Sequence, residues 1–266
     1  MKKNYTYLII FILISIIIFS IFRIIKWNKD NTVIINETEE INKNIIINEV
    51  EDNKNTNEID KSNIYFDYTK MKLIDVDFSN LKEINNDTVG WIQVVGTNIN
   101  YPVVQAKNND YYLNHSFEKK NNEAGWIFMD YRNSINEFDT NTIIYGHNRF
   151  NKTMFGTLKD TTKKKWFNNK DNHIIKLSLE KSNTLWQVFS VYKIATTNDY
   201  LLTKFNNDME YTIFIRNLIT RSIFDFKTDV NTNDKILTLS TCNGSKEKLV
   251  LHAKLIKIMK KGDKNE

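Results

Sequence analysis

The sequence predicts a mostly β domain, a closed or nearly closed barrel of eight strands with a few helices, carried behind an apolar N-terminal helix. Three observations lead there. From about Tyr65 onward, short runs of β-branched and aromatic residues alternate with turn residues. Few of the intervals between those runs hold a helical pattern, and a parallel sheet would need a helix in each crossover. Ahead of them, no charge occurs from Asn4 to Phe22.

That uncharged run of 19 residues, at about 1.5 Å per residue, matches a hydrocarbon core about 30 Å thick. It exceeds the apolar stretch of a cleaved signal peptide, and Ile and Phe stand where a cleavage site needs small residues. Residues 1–27 are therefore expected to be an uncleaved membrane anchor. Flanking charge does not orient it, because Lys2 and Lys3 oppose Arg23, Lys26 and Lys29. Residues 28–63, rich in Asn, Glu, Asp and Lys with short Ile clusters, read as a low-complexity stalk, partly disordered with a transient helix, that holds the domain off the membrane. Residues 64–266 form the remaining domain.

Within it a short helix is expected over 78–86, with Ser79 as its cap. Strands are expected at 90–95, 98–105, 125–131, 142–147, 173–179, 184–197, 235–242 and 248–258. A longer helix covers about 207–226, where Tyr211, Phe214, Ile215, Leu218 and Ile219 make an apolar stripe to pack on the barrel. Pro102, the only proline, belongs at a sheet edge or strand start because it lacks an N–H.

The formal charge of +5 conceals an acidic stretch at 30–62, so the remainder is basic. This suits a membrane face or an anionic wall polymer. No nucleic-acid motif or basic aromatic platform is present. One Cys and four scattered His show no metal-ligand spacing, and no cofactor is implied.

The single cysteine carries the chemistry. An exported domain with one thiol forms no internal disulfide, which leaves a reactive thiol or a buried filler. In "KILTLSTC" (235–242) alternation puts Leu237, Leu239 and Thr241 on one side, with Thr238, Ser240 and Cys242 on the other. Cys242 thus leaves the leucine side and ends the strand beside a small loop, as a nucleophile would. A thiol needs a base or cation nearby to ionise. His147 ends the hydrophobic run "TIIYGHN" and is the candidate base. His115 sits in a turn, His173 opens a strand and is expected to be exposed, and His252 shares a face with Lys248 and Val250. Lys248 begins the returning strand, nearest to Cys242, and is the candidate cation for developing negative charge.

These residues resemble a class B sortase. "TLSTC" follows "YGHN" and "MFGTLKD" by about 95 residues. The likeness runs in order through "DTVGWIQVVGTNINYPVVQ", "DYYLNHSF", "AGWIFMDYRN" and "LVLHAKLI", over roughly residues 75–258. The long helix before the Cys strand resembles the feature that sets class B apart, and the resemblance implies the eight-stranded sortase barrel. It implies a cysteine transpeptidase of the Gram-positive surface, with its catalytic domain outside the membrane. Such an enzyme cuts the C-terminal sorting signal of a secreted protein after Thr, forms a thioester, and passes the acyl group to an amino group of a peptidoglycan precursor. By motif, Cys242 is the nucleophile, His147 the acid and base, and the N–H after Cys242 part of the oxyanion hole. Asn114, Tyr200, Leu201, Ser240 and Thr241 fall where class B enzymes line the signal groove.

One position departs from the family. The sortase arginine that begins the last strand is Lys248 here, which keeps the charge but lacks the planar fork. Three readings are open: Lys248 substitutes, Arg149 or Arg221 reaches in, or the protein is a weakened or vestigial envelope-binding member. A papain-like or amidase fold is disfavoured, since those place Cys before His.

Overall fold

The structure is a computed structural model that describes residues 2–51, 66–242 and 247–262 of the 266-residue chain. It opens with one helix, α1 (Lys2–Asn44), 43 residues long and so about 65 Å from end to end. Neither Gly nor Pro interrupts it, and nothing else in the sequence ends it early. Its first half exposes every large apolar side chain from Tyr5 to Ile25. Its second half buries Asn31, Ile34, Glu37 and Ile41, spaced to form one stripe of a helix, and Ile34 and Ile41 join the main core.

The first part of the expected stalk is thus a packed helix and not a transient one. Residues 28–44 continue α1 and lie against the barrel, and β1 (Ile47–Val50) then pairs antiparallel with β2 (Leu73–Val76). The rest of the expected stalk, 52–63, lies outside the described residues. Between β1 and β2 stands the one-turn α2 (Phe66–Thr69). Next comes α3 (Ser79–Ile84), shorter than expected; Ser79 is not its cap, because Asp77 Oδ1 accepts from both the Ser79 N–H and hydroxyl.

Eight strands then close a barrel. They are β3 (Thr88–Val94), β4 (Asn100–Val104), β5 (Phe128–Met129), β6 (Asn141–His147), β7 (Ile174–Leu179), β8 (Ser182–Ala195), β9 (Ile236–Cys242) and β10 (Glu247–Lys260). The order around the barrel is β10-β8-β7-β3-β4-β5-β6-β9, with β9 and β10 paired to complete it. All eight match expected strands. β5 is much shorter than its expected run: the Val104 N–H on the Ile127 carbonyl ties it to β4, and just before it the Trp126 N–H turns to the Tyr112 carbonyl instead of extending the ladder. Pro102 lies within β4, opposite Trp91 of β3. It is therefore buried in mid-strand of a closed barrel and not at an edge or strand start as expected. On its other side β4 pairs with β5 at Val104 alone, and the Pro102 carbonyl accepts the Trp126 indole N–H, so the ladder does not call on the missing N–H.

Trp91, Trp126, Trp186, Leu237 and Leu239 fill the interior. Each such side chain is worth about 1.5–3 kcal/mol relative to leaving it in water. A second core lies outside the wall. Helix α5 (Asp208–Arg221), preceded by the short α4 (Lys164–Asn168), buries Tyr211, Phe214, Ile215 and Leu218 against Phe189, Tyr192, Ile236 and Val250. Ile219, expected on this face, is exposed. The Asn207 side chain caps α5 by accepting the Glu210 N–H, while Glu210 accepts the Asn206 N–H in return. The helix stops at Arg221, short of the expected 226, because Ser222 is extended. With α5 outside and the barrel inside, β8 is buried over its first eleven residues, which explains why its sequence does not alternate.

Candidate active site

β6 and β9 run parallel, and their register pairs His147 with Cys242 at the last position of both strands. Neighbouring strands lie about 4.8 Å apart, so the two candidate catalytic residues are side by side at one rim of the barrel. Each strand supplies a hydrophobic run (Ile143–Tyr145, Leu237–Leu239) that anchors it in the core and ends on a chemically useful residue.

The His147 ring has a defined seat. Nε2 lies 2.8 Å from the Leu113 carbonyl. A carbonyl only accepts, so this nitrogen carries the proton in the neutral ring and leaves Nδ1 as the base. Gly125 makes room for the ring: a Cβ there would stand 2.7 Å from His147 Cδ2 and 2.6 Å from the Tyr112 carbonyl. Its φ of +61° independently favours glycine. Sequence reasoning did not single out Gly125 or Leu113, although both lie in the stretches that carry the family likeness.

β9 pairs antiparallel with β10 from Val250↔Ser240 to Lys254↔Ile236. Continuing that register by two residues sets Lys248 opposite Cys242. The Leu249 N–H donates to Thr241 Oγ1 over 2.9 Å, which secures this end of the hairpin. The loop between the strands and its first N–H, expected to help form an oxyanion hole, fall outside the described residues.

Behind the rim lies a buried polar relay. Asn141 Nδ2 donates to the Leu202 carbonyl, so its Oδ1 accepts the Thr238 hydroxyl proton at 2.7 Å. Thr238 Oγ1 has then spent its proton and accepts from His252 Nδ1 at 2.9 Å, and His252 Nε2 accepts from the Tyr192 hydroxyl at 2.9 Å. Complete burial pushes the His252 pKa down to about 3, so the ring is neutral at physiological pH. His252 is a structural residue.

The sortase domain family matches residues 92–256. Sortase B of Staphylococcus aureus is 39% identical over 185 residues, 68% of this chain and 75% of that protein. Sortase B of Listeria monocytogenes is 34% identical over 180 residues, 66% and 72% of the two chains. Among solved structures, a Staphylococcus aureus sortase B–substrate complex superposes with a TM-score of 0.64 at 39% identity, over 68% of this chain and 84% of that one. Bacillus anthracis sortase B in complex with AAEK1 gives 0.69 at 32% identity, over 88% and 99%.

The chain belongs to the sortase family, in its class B branch. Sortases of this branch are cysteine transpeptidases, and their barrel is the fold described above.

The other expected site residues of this sortase fall in three places. Asn114 is exposed and directly follows Leu113, whose carbonyl holds His147. Tyr200 and Ser240 are buried against each other, hydroxyl to hydroxyl at 3.0 Å, and Thr241 is buried at the β9–β10 hairpin. Leu201 is partly exposed, and its carbonyl accepts from Arg132 Nη2 at 3.0 Å. That arginine also forks onto buried Asp130, which accepts in addition from the Tyr145 hydroxyl. Burial alone would raise the Asp130 carboxyl, but these donors hold it below the ordinary carboxylate range. The two alternative cations are engaged elsewhere. Arg149 bonds to Asn31 of α1, and Arg221 pairs with Asp199 and lies 5.8 Å over the Tyr192 ring. His173, expected to be exposed, is buried among Trp166, Phe167 and Phe226, with Nε2 on the Phe167 carbonyl.

Proposed function

We propose that this sortase is held in the membrane by the first half of α1, with residues 64–266 as the catalytic domain on the outer face. It cleaves the sorting signal of a secreted protein after Thr and transfers the acyl group to an amino group of a peptidoglycan precursor. The observation that carries the mechanism is the register of His147 with Cys242 at the ends of adjacent parallel strands.

The Cys242 thiolate attacks the scissile carbonyl carbon, and the resulting oxyanion is met by Lys248 and by the N–H after Cys242. Collapse breaks the C–N bond. His147, protonated, gives its proton to the departing amine and leaves a thioester. An incoming amine attacks that thioester, His147 takes its proton back, and the Cys242 thiolate is released. Asn114 and Leu201 line the signal groove, and buried Tyr200, Ser240 and Thr241 support its wall from behind. Lys248 as the cation is supported by the β9–β10 register and by the engagement of Arg149 and Arg221 elsewhere. Anchoring is supported by one helix long and apolar enough to cross a membrane.

The test is intact-mass spectrometry of the full-length protein in nanodiscs, mixed with peptides of the NPxTx and LPxTx types. Wild type is expected to gain a mass equal to the peptide truncated after Thr, and Cys242→Ala to gain none. Lys248→Ala should slow acylation by about 10²–10³-fold, the usual loss for one oxyanion donor, with Lys248→Arg restoring most of it. An adduct that persists in Cys242→Ala sinks the mechanism. A Lys248→Ala rate equal to wild type removes Lys248 from it.

A further inference from the structure

The grip between α1 and the barrel begins at the edge of the apolar run. Arg23, the first charge after that run, donates to Glu123 at 3.1 Å, and Lys26 bonds to the same carboxylate. One turn further on, the Asp30 carbonyl accepts from Asn122, and its side chain accepts the Glu123 N–H. Asn31 then takes donors from Arg149 and Asn151. Eight residues of helix separate Arg23 from Asn31, about 12 Å. A headgroup layer adds roughly 5–8 Å to each side of the hydrocarbon core. A helix that spans the bilayer and leaves it at Arg23 therefore carries the barrel down to the lipid surface.

What the barrel presents there is suited to lipid. The segment after His147 is a tight turn, closed by the Asn148–Met154 bridge and by the Lys152 N–H on the Arg149 carbonyl. At its tip Phe150 is 89% exposed, the most exposed aromatic ring described, and exposed Lys152 follows it. Asn31 clamps the turn from both flanks, so the ring is held out by a rigid support. The acidic groups on this side, Asp30 and Glu123, are matched by Arg23, Lys26 and Arg149. An aromatic ring flanked by cations at the end of a span is the arrangement that settles at a membrane interface.

We propose that the catalytic domain is seated on the membrane, with the 149–152 turn as its foot: Phe150 enters the headgroup layer and Lys152 meets lipid phosphates. This rests on the reading that α1 spans the bilayer. The occupant of the exposed ring is the lipid surface, chosen over a protein partner because α1 fixes the turn beside the span. His147 lies three residues before Phe150, at most about 10 Å of chain, so the catalytic rim opens close to the bilayer.

The experiment uses the full-length chain with Cys242→Ser, carrying one new cysteine at a time, Phe150→Cys, Ile24→Cys or Lys181→Cys, each labelled with an environment-sensitive fluorophore. The proteins are placed in phosphatidylcholine–phosphatidylglycerol vesicles with a nitroxide lipid labelled near the headgroup. Lys181 is exposed in the β7–β8 turn, next to the β2 end of the molecule, and reports the membrane-distal side. Expected is lipid quenching at 150 close to that at 24 and severalfold above 181, with iodide quenching in the reverse order. Strong quenching at 24 with 150 no different from 181 overturns the inference and leaves the spanning helix standing. Blue-shifted emission at 150 without lipid quenching means a protein surface covers the ring, and overturns it as well. Absence of quenching at 24 removes both the span and the seat.

Discussion

At the scale of single residues, the histidine proposed as acid and base depends on an atom that is missing. Gly125 leaves a gap that the His147 ring fills, and its left-handed φ excludes other residues at a cost of about 1–2 kcal/mol. A Gly125→Ala methyl cannot be absorbed easily, since two of its neighbours are the Tyr112 and Leu113 backbone carbonyls. The ring must shift instead, and a displacement near 1 Å is worth about 10²-fold in rate. Gly125→Ala is expected to lower kcat/KM for a sorting-signal peptide by about 100-fold, with the far-ultraviolet circular dichroism unchanged. A wild-type kcat/KM would show that His147 needs no such seat. The placement of Cys242 and His147 at strand ends was legible from sequence because each closes a strand-like run in a motif. The Leu113 carbonyl that orients His147 was not, because a backbone acceptor has no residue type to read. His173 misled for a related reason: its neighbours in sequence are polar, while the aromatic rings that bury it come from 166, 167 and 226.

At the scale of elements, alternation and turn residues located all eight barrel strands, but not what covers them. Alternation places Cys242 on the polar side of β9, opposite the leucines. That side is also buried, under α5 and the Tyr200 segment, with Thr238 and Ser240 nearly inaccessible. The relay Asn141–Thr238–His252–Tyr192 crosses β6, β9, β10 and β8 in turn. Through Asn141 Nδ2 it also holds the carbonyls of Tyr200 and Leu202. Thr238→Val keeps the shape but orphans the His252 Nδ1–H and the Asn141 oxygen. At about 1–3 kcal/mol for each of the two stranded buried groups, urea unfolding should show a loss of about 2–6 kcal/mol. A loss below about 1 kcal/mol would mean that the relay is not closed as described. The same histidine fixes how the barrel meets acid. Its folded pKa lies below its ordinary value, so the unfolded chain binds the proton first, and stability falls as pH drops from 6.5 towards about 3.

For the whole molecule, the decisive element is the one the sequence disguised. Residues 28–44 read as stalk because their polar composition is that of a disordered segment, and only Asn31, Ile34, Glu37 and Ile41, one stripe of a helix, show where they pack. Glu37 is the uncommon member, a carboxylate buried between α1 and the barrel. It accepts from the Ser116 hydroxyl at 2.8 Å and the Phe117 N–H at 3.2 Å. Burial raises its pKa above 4.5, Glu118 adds to the rise, and the hydrogen bonds and Lys120 offset only part of it. A carboxyl with a raised folded pKa stabilises the docked state at low pH, and that contribution is lost as pH climbs through the raised value. The clamp between α1 and the barrel should therefore weaken towards alkaline pH, opposite in sense to the His252 effect. Glu37→Gln removes the charge yet still fits, with its carbonyl taking the Phe117 N–H and its amide facing the Ser116 oxygen. In thermal melts of the full-length protein in detergent, Glu37→Gln and wild type should have the same Tm below about pH 4.5, where both are neutral. Above that the variant should become progressively more stable than wild type. A Tm difference that stays flat from pH 4 to 8 would show that Glu37 does not change its proton affinity on docking, and the pH dependence of the clamp would then have to come from elsewhere.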